Sequence, residues 1–180
     1  MPGREVVIGV CGGIAAYKTA ALVSRLAQSG VGVTVVMTDS AREFVGPATF
    51  EALTGRPVPR GMFGEVNYDP LGAHIELAQR GHLLCIAPAT ANLLAKAAHG
   101  LADDLLTTLL LAFTGPVLLA PAMNSAMWAK AAVQRNVEIL RGDGFHFVDP
   151  EPGWLSCRQH GPGRMASPET LFDRISQLLS

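Results

Sequence analysis

Short, uniformly apolar runs alternate along the chain with stretches whose apolar residues recur at helical spacing. Glu5–Cys11 is apolar and β-branched and ends in Gly12-Gly13, which predicts a buried strand followed by a tight turn. A helical pattern runs from Ile14 to about Gln28 and stops at Gly30. The strand pattern returns at Val33–Met37, Leu83–Ala87, Val117–Ala120 and Phe145–Val148. Helical patterns occupy Ala91–His99, Asp104–Phe113, Ser125–Arg141 and Pro168–Leu179. Strands without polar alternation, set between amphipathic helices, predict a parallel sheet covered on both faces. Right-handed crossovers then give an α/β, doubly wound, Rossmann-like or flavodoxin-like fold.

Two segments interrupt this alternation. Gly55–Gly72 and Asp149–Ser167 are rich in Gly and Pro and exceed the usual length of a connection, so both are expected to be functional loops or poorly ordered segments. Leu105–Met123 carries no charge and is about as long as a membrane span, but Gly115-Pro116 and Pro121 divide it. A helix followed by a buried strand is the expected reading, with no membrane partner. Residues 1–180 show no internal repeat and are expected to form one domain.

Composition adds an expectation about assembly. Of the 180 residues, 49% are hydrophobic and 16% charged, which is little charge for the surface of a small monomer. Some apolar surface should therefore be buried against other copies of the chain. A net charge of −1, with no basic run, lacks the footprint of a nucleic-acid binder. The scattered Cys11, Cys85 and Cys157 do not make a disulfide framework, and the first apolar run is too short for a secretory segment. A cytoplasmic setting is expected.

In a doubly wound sheet, ligands bind beyond the carboxyl ends of the strands, and four segments with suitable chemistry fall there. Gly12-Gly13-Ile14-Ala15-Ala16 lets backbone approach a ligand and offers helix N–H groups to an anion; a plain βα turn is the alternative. Thr38-Asp39-Ser40 could hold a phosphate, a ribose through Asp39, or simply cap a helix. Ala87-Pro88-Ala89-Thr90-Ala91-Asn92 suits a flat ring or another capping turn. Pro121-Ala122-Met123-Asn124 ends in an amide able to grip a carboxylate or to cap the helix from Ser125. His74, in His74-Ile75-Glu76-Leu77, is structural or catalytic, and its spacing does not decide. Cys157 and His160 lack the second pair a zinc site needs, so no metal is expected; Cys157 reads as a reactive thiol on a loop.

Taken in order with Gly161-Pro162-Gly163-Arg164-Met165, and extended as Pro121-Ala122-Met123-Asn124-Ser125-Ala126-Met127-Trp128, these segments resemble the flavin-dependent cysteine decarboxylases. That family includes the phosphopantothenoylcysteine decarboxylases of coenzyme A biosynthesis and the decarboxylases of lanthipeptide C-terminal cysteines. The resemblance spans nearly the whole chain, and it is what selects FMN over NAD. It implies FMN phosphate near Gly12, Gly13 and Ile14 with help from Thr38 and Ser40, and a flavin site completed by Thr90, Ala91, Asn92 and Ala122. It implies that His74 is catalytic, that Asn124 and Met123 bind substrate, and that Cys157 is the flap thiol of a last reduction. It further implies FMN-dependent conversion of 4′-phosphopantothenoylcysteine to 4′-phosphopantetheine, and sites completed by a neighbouring subunit in a homotrimer or a dodecamer of trimers.

Two features depart from the family pattern. Arg158 follows Cys157 where Gly is common, and could stiffen the flap or meet a substrate phosphate. Bacterial members are usually fused to a substrate-making ligase, so a chain of this length is expected to work with a separate ligase or on another thiol. A peptide-cysteine decarboxylase is the enzymatic alternative and a flavin-binding regulatory subunit the non-catalytic one. A flavin prenyltransferase is disfavoured by the Pro-Ala-Met-Asn block, and an NAD module rests on Asp39 alone.

Overall fold

The computed structural model describes residues 1, 3–59, 61, 72–156, 158 and 160–180. Its centre is a five-stranded parallel sheet built from β1 (Glu5–Val10), β2 (Gly32–Met37), β3 (Leu83–Ala89), β4 (Val117–Pro121) and β5 (His146–Phe147), in the order β2-β1-β3-β4-β5. The helices are α1 (Ala16–Gln28), α2 (Asp39–Arg42), α3 (Pro47–Thr54), α4 (Ala73–Arg80), α5 (Ala91–Ala98), α6 (Leu105–Ala112), α7 (Ser125–Trp128), α8 (Ala131–Gly142) and α9 (Pro168–Leu178). This is the flavodoxin-like order, whose switch point lies between β1 and β3.

The strands are apolar throughout because each feeds two cores. Val6, Ile8 and Val10 join Leu22, Leu26, Phe50 and Ile175 on the face covered by α1, α3 and α9. The intervening Val7, with Leu84, Ile86 and Leu119, joins Leu77, Leu94, Leu106 and Leu140 on the face covered by α4, α5, α6 and α8. Burial at alternate positions on both faces removes the polar alternation that a one-sided sheet would show. The uncharged stretch around Gly115-Pro116 is indeed helix α6 followed by strand β4. No helix among the described residues is long and apolar enough to cross a membrane.

Several expectations are corrected. The segment from Asp149 to Ser167 is not a loop but holds an antiparallel hairpin of β6 (Glu151–Trp154) and β7 (His160–Arg164). Its Gly and Pro residues hid the strands, since both depress strand propensity and Pro is confined to edges. Ser125–Arg141 is not one helix. Lys130 is extended, and the side chain of Gln134 donates to Trp128 O at 2.6 Å, so α7 and α8 are separate. Gly55 ends α3 in the left-handed conformation (φ 66°), completing a Pro-to-Gly helix signature at Pro47 and Gly55 that the strand–helix alternation passed over. The polar–apolar stretch around His74 is helix α4. Of the expected 55–72 loop, residues 60 and 62–71 lie outside the described residues.

Candidate functional site

The carboxyl ends of β1 to β4 and the hairpin surround one cavity of about 1210 Å³. Cavities that hold a single small ligand commonly occupy some 300–1,000 Å³, so this one has room for a cofactor together with a substrate. Every residue expected to hold the cofactor lines it: Gly12, Gly13 and Ile14 from the first turn, Thr38 and Ser40 after β2, Thr90, Ala91 and Asn92 after β3, and Ala122 after β4. Met123 and Asn124 line it as well.

These residues meet because each strand hands over to a helix at the cavity floor. Thr38 caps α2 by accepting from Ala41 N (3.3 Å), Thr90 caps α5 by accepting from Leu93 N (3.3 Å), and Asn124 caps α7 through Oδ1 from Ala126 N (2.8 Å). Capping does not exclude a place at the site: the same three side chains cap helices and line the cavity. The cap also orients Asn124, whose oxygen is turned to the backbone so that its NH2 end is the donor end. Thr19 Oγ1 of α1 donates to Ala87 O (2.7 Å) and pins the helix beside the end of β3.

The glycine turn is shaped by contact. A side chain on Gly12 would run into Ser40, whereas one on Gly13 would meet no atom within 4 Å and would project into open space. The N–H groups of Gly12, Gly13 and Ile14 donate to no partner among the described residues. The N-cap of α1, Ala15, supplies no side-chain hydrogen bond, and the first turn holds no acidic residue. This is a cradle for an anion at a helix start.

The hairpin closes the other side. Met123 N donates to Gly163 O (2.9 Å), and Gly163 (φ 130°) lies so close that a Cβ would overlap Met123 O. A glycine is required there both by conformation and by contact.

Charged groups that motif reading passed over also line the cavity: Lys18, Lys96, Asp103, Asp104 and Arg164. Lys96 is matched by Asp103 (2.6 Å) and Asp104 (3.8 Å), and its ammonium is held above its usual pKa chiefly by the Asp103 contact. Lys18 Nζ donates to Met165 O (3.3 Å); burial first, then the neighbouring Arg164 charge, lower its pKa, with Glu151 opposing. Lys18 lies in the first turn of α1, directly after the glycine turn. Cys11, at the cavity edge, and Cys85, in the core, are both pushed up to about 12 by burial, which leaves them as inert thiols.

His74 is half-buried at the start of α4 and does not reach the cavity wall within one chain. Its Nδ1 is buried without a hydrogen-bond partner among the described residues. Cys157 lies outside the described residues, although the hairpin that would carry it is in place.

The flavoprotein family model matches residues 1–180. This chain belongs to the flavoprotein family. Within it, the chain is 48% identical over 168 residues to the coenzyme A biosynthesis bifunctional protein CoaBC of Bacillus subtilis, covering 93% of this chain and 41% of that protein. It is 43% identical over 173 residues to CoaBC of Escherichia coli, covering 96% and 42%. The chain thus spans under half the length of the curated relatives it matches. Among solved structures, the FMN-dependent cysteine decarboxylase SpaF superposes with a TM-score of 0.84 at 38% identity, covering 99% of this chain and 98% of that one. A mutant PPC decarboxylase complexed with pantothenoylaminoethenethiol gives 0.83 at 28% identity, with 97% of each chain covered.

Proposed function

We propose that this flavoprotein binds FMN and decarboxylates 4′-phosphopantothenoylcysteine to 4′-phosphopantetheine, as a homo-oligomer in the cytoplasm. The observation that carries the reading is the convergence of all four strand-end segments and the hairpin on a single cavity large enough for cofactor and substrate. Family membership and the likeness to CoaBC and to PPC decarboxylase support the choice of reaction.

The residues present fit FMN. The unpartnered N–H groups at Gly12, Gly13 and Ile14, with the Thr38 and Ser40 hydroxyls alongside, would hold the phosphate. Thr90, Ala91, Asn92 and Ala122 would border the ring, the small side chains leaving space for a flat system. Bound FMN would supply the two-electron oxidation of the thiol-bearing carbon that makes loss of CO2 possible.

The chain's own part is positioning and proton transfer. Asn124 would present its NH2 end to the substrate carboxylate, fixed by the cap bond to Ala126 N. Met123, tied to the hairpin through Gly163, would shield that carboxylate from water. His74 would exchange a proton with the substrate thiol, and Cys157 would return one in the last reduction.

The same geometry supports assembly. His74 does not line this chain's cavity, so a second copy is expected to bring its own His74 to it. Ile14, Tyr17, Leu101, Leu111, Met127 and Trp154 are large apolar side chains left exposed, Tyr17 by 61% and Trp154 by 65%, and they give a neighbour apolar surface to bury. A trimer, alone or built into a dodecamer, is the proposed state, readable by light scattering.

One alternative has a specific observation behind it. SpaF, at 38% identity, is described as a cysteine decarboxylase, so a peptide C-terminal cysteine is the second candidate substrate. The deciding test is the absorbance spectrum of purified protein, then anaerobic incubation with either substrate while CO2 and thiol products are followed by mass spectrometry. Bound FMN with 4′-phosphopantetheine formation supports the first reading. FMN with conversion of the peptide alone moves it to the second, and protein that takes up no FMN defeats both.

A further inference from the structure

Helix α4 is anchored by residues other than its histidine. Ala73 and Leu77 turn into the core, with 4% and 0% exposure, and His74 stands about 100° around the axis from Ala73. His74 is half-buried, yet its Nδ1 is fully covered and has no hydrogen-bond partner among the described residues. A histidine that works from one ring nitrogen is ordinarily oriented by a bond at the other. Here that bond is missing, so packing has to set the ring.

The ring rests on Gly72. A Cβ on that residue would stand 3.2 Å from His74 Cε1 and 3.3 Å from Nδ1, inside the ordinary contact distance of carbon atoms. Gly72 has φ 99° and ψ 145°, a conformation that glycine alone adopts without strain. It is also the N-cap of α4, where Ser, Thr, Asp or Asn would add a side-chain bond and Gly72 adds none. Its carbonyl takes the N–H groups of Ile75 (3.1 Å) and Glu76 (3.3 Å). The helix start thus forgoes a cap and keeps a bare Cα under the imidazole.

We propose that Gly72 is a positioning residue, seating the His74 imidazole with Nδ1 inward and Nε2 outward as the nitrogen that meets the substrate thiol. The meeting with the thiol rests on the decarboxylase reading; the seat does not. A proton on Nδ1 would be a buried donor with no acceptor, so the neutral ring carries its proton on Nε2. A methyl group at position 72 has to move the ring by a few tenths of an ångström, or the backbone that carries it. Such shifts matter at a reacting group, where a misplacement of about 1 Å can cost about 100-fold in rate.

The test is a double-mutant cycle on FMN-loaded, full-length protein with 4′-phosphopantothenoylcysteine. Gly72→Ala should lower kcat by about 10- to 100-fold, with KM within about threefold of wild type and the flavin spectrum kept. In a His74→Asn background the same substitution should change the residual rate by no more than about twofold, because the group it acts through is gone. Equal losses in the two backgrounds, as a merely structural role gives, overturn the proposal, and so does Gly72→Ala with full kcat. A second measurement needs no variant at position 72: solid-state 15N NMR of sedimented, histidine-labelled, FMN-loaded wild type at alkaline pH. The His74 signals are identified by their loss in His74→Asn. Nδ1 should read as the bare nitrogen and Nε2 as the protonated one; the reverse assignment overturns the seat. Where that pattern holds but no CO2 is released from 4′-phosphopantothenoylcysteine or from a peptide cysteine, the seat stands and the decarboxylase reading fails.

Discussion

Both ends of the parallel sheet carry polar side chains, but they use them differently. At the amino end, Glu5 of β1 takes two bonds from Arg56 (2.6 and 3.0 Å), and Thr34 of β2 accepts from both Arg56 (3.1 Å) and Arg80 (2.8 Å). Glu76 pairs with Arg80 (3.1 Å), and His82 Nδ1 accepts from Glu5 N (3.1 Å). The groups of this cluster satisfy one another. At the carboxyl end, the N–H groups of the glycine turn have no partner among the described residues, and Lys18 bonds a carbonyl, Met165 O, rather than a carboxylate. A polar cluster that closes on itself holds the fold; one that stays unmatched is arranged for something else. Helix α4 carries at its start His74, whose Nδ1 is buried without a partner among the described residues, and at its end Arg80, bonded to Thr34.

The largest effect should come from the unmatched end of that helix. His74→Asn is expected to lower decarboxylation on the order of 100- to 10,000-fold, the range for loss of a positioned acid–base group, while the flavin spectrum is retained. Full activity in this variant would remove His74 from the chemistry. Arg80, six residues further along α4 and at the matched end, should matter for stability rather than for turnover.

Asn124 both caps a helix and lines the cavity, so it sharpens the contrast. Asp caps a helix about as well as Asn, whereas Ala does not cap. Asn124→Asp should keep thermal stability near wild type but place a negative charge where the substrate carboxylate is proposed to sit. Turnover should fall by about 10- to 100-fold or more, from a lost charge-assisted bond with repulsion added. Asn124→Ala should lose activity and also about 1 kcal/mol of stability. If Asn124→Asp kept full kcat/KM, the residue would be a cap and nothing more.

The same dual use explains what was legible in the sequence. Strand ends were readable because continuous apolar runs stop abruptly at Gly12, Thr38, Thr90 and Asn124, and the cavity gathers the segments that follow. The hairpin was not, because Pro152, Gly153, Gly161, Pro162 and Gly163 read as loop while antiparallel pairing and packing against Met123 hold them extended. The bond from Lys18 Nζ to Met165 O escaped notice because it joins positions 147 apart, which no local pattern encodes. The Glu5–Arg56–Thr34 cluster was invisible for the same reason.

That matched cluster should respond to pH and mutation in stability alone. The bidentate Arg56 contact holds the Glu5 carboxyl below its ordinary range, outweighing the opposing effect of burial. A lowered folded pKa means the native state binds the proton less readily than the unfolded chain. The stabilisation is therefore complete above the unfolded Glu value of about 4.3 and is lost as pH falls through the lower folded value. Arg56→Met should cost about 1–3 kcal/mol at neutral pH, by leaving Glu5 partly buried without its partner, and should flatten the acid limb of the stability curve. Denaturant titrations at pH 7 and in the acid range measure both. A large loss of FMN affinity instead would break the contrast between the two ends.

The smallest effect concerns the hairpin tip. Arg158 has φ 62°, and it is the one non-glycine residue with positive φ among those described. Its N–H donates to Leu155 O (2.9 Å), closing the turn that requires this conformation. A side chain in the left-handed region costs about 1–2 kcal/mol, which glycine avoids, though glycine also leaves the unfolded chain freer. These terms oppose each other, so Arg158→Gly should raise stability by no more than about 1 kcal/mol, seen as a small rise in Tm. A glycine at position 158, the pattern from which Arg158 departs, would then follow from turn geometry, and the stiffening and charge readings of Arg158 separate. If Arg158→Gly leaves turnover of 4′-phosphopantothenoylcysteine intact, Arg158 acts through turn geometry and not as a cation at the substrate phosphate.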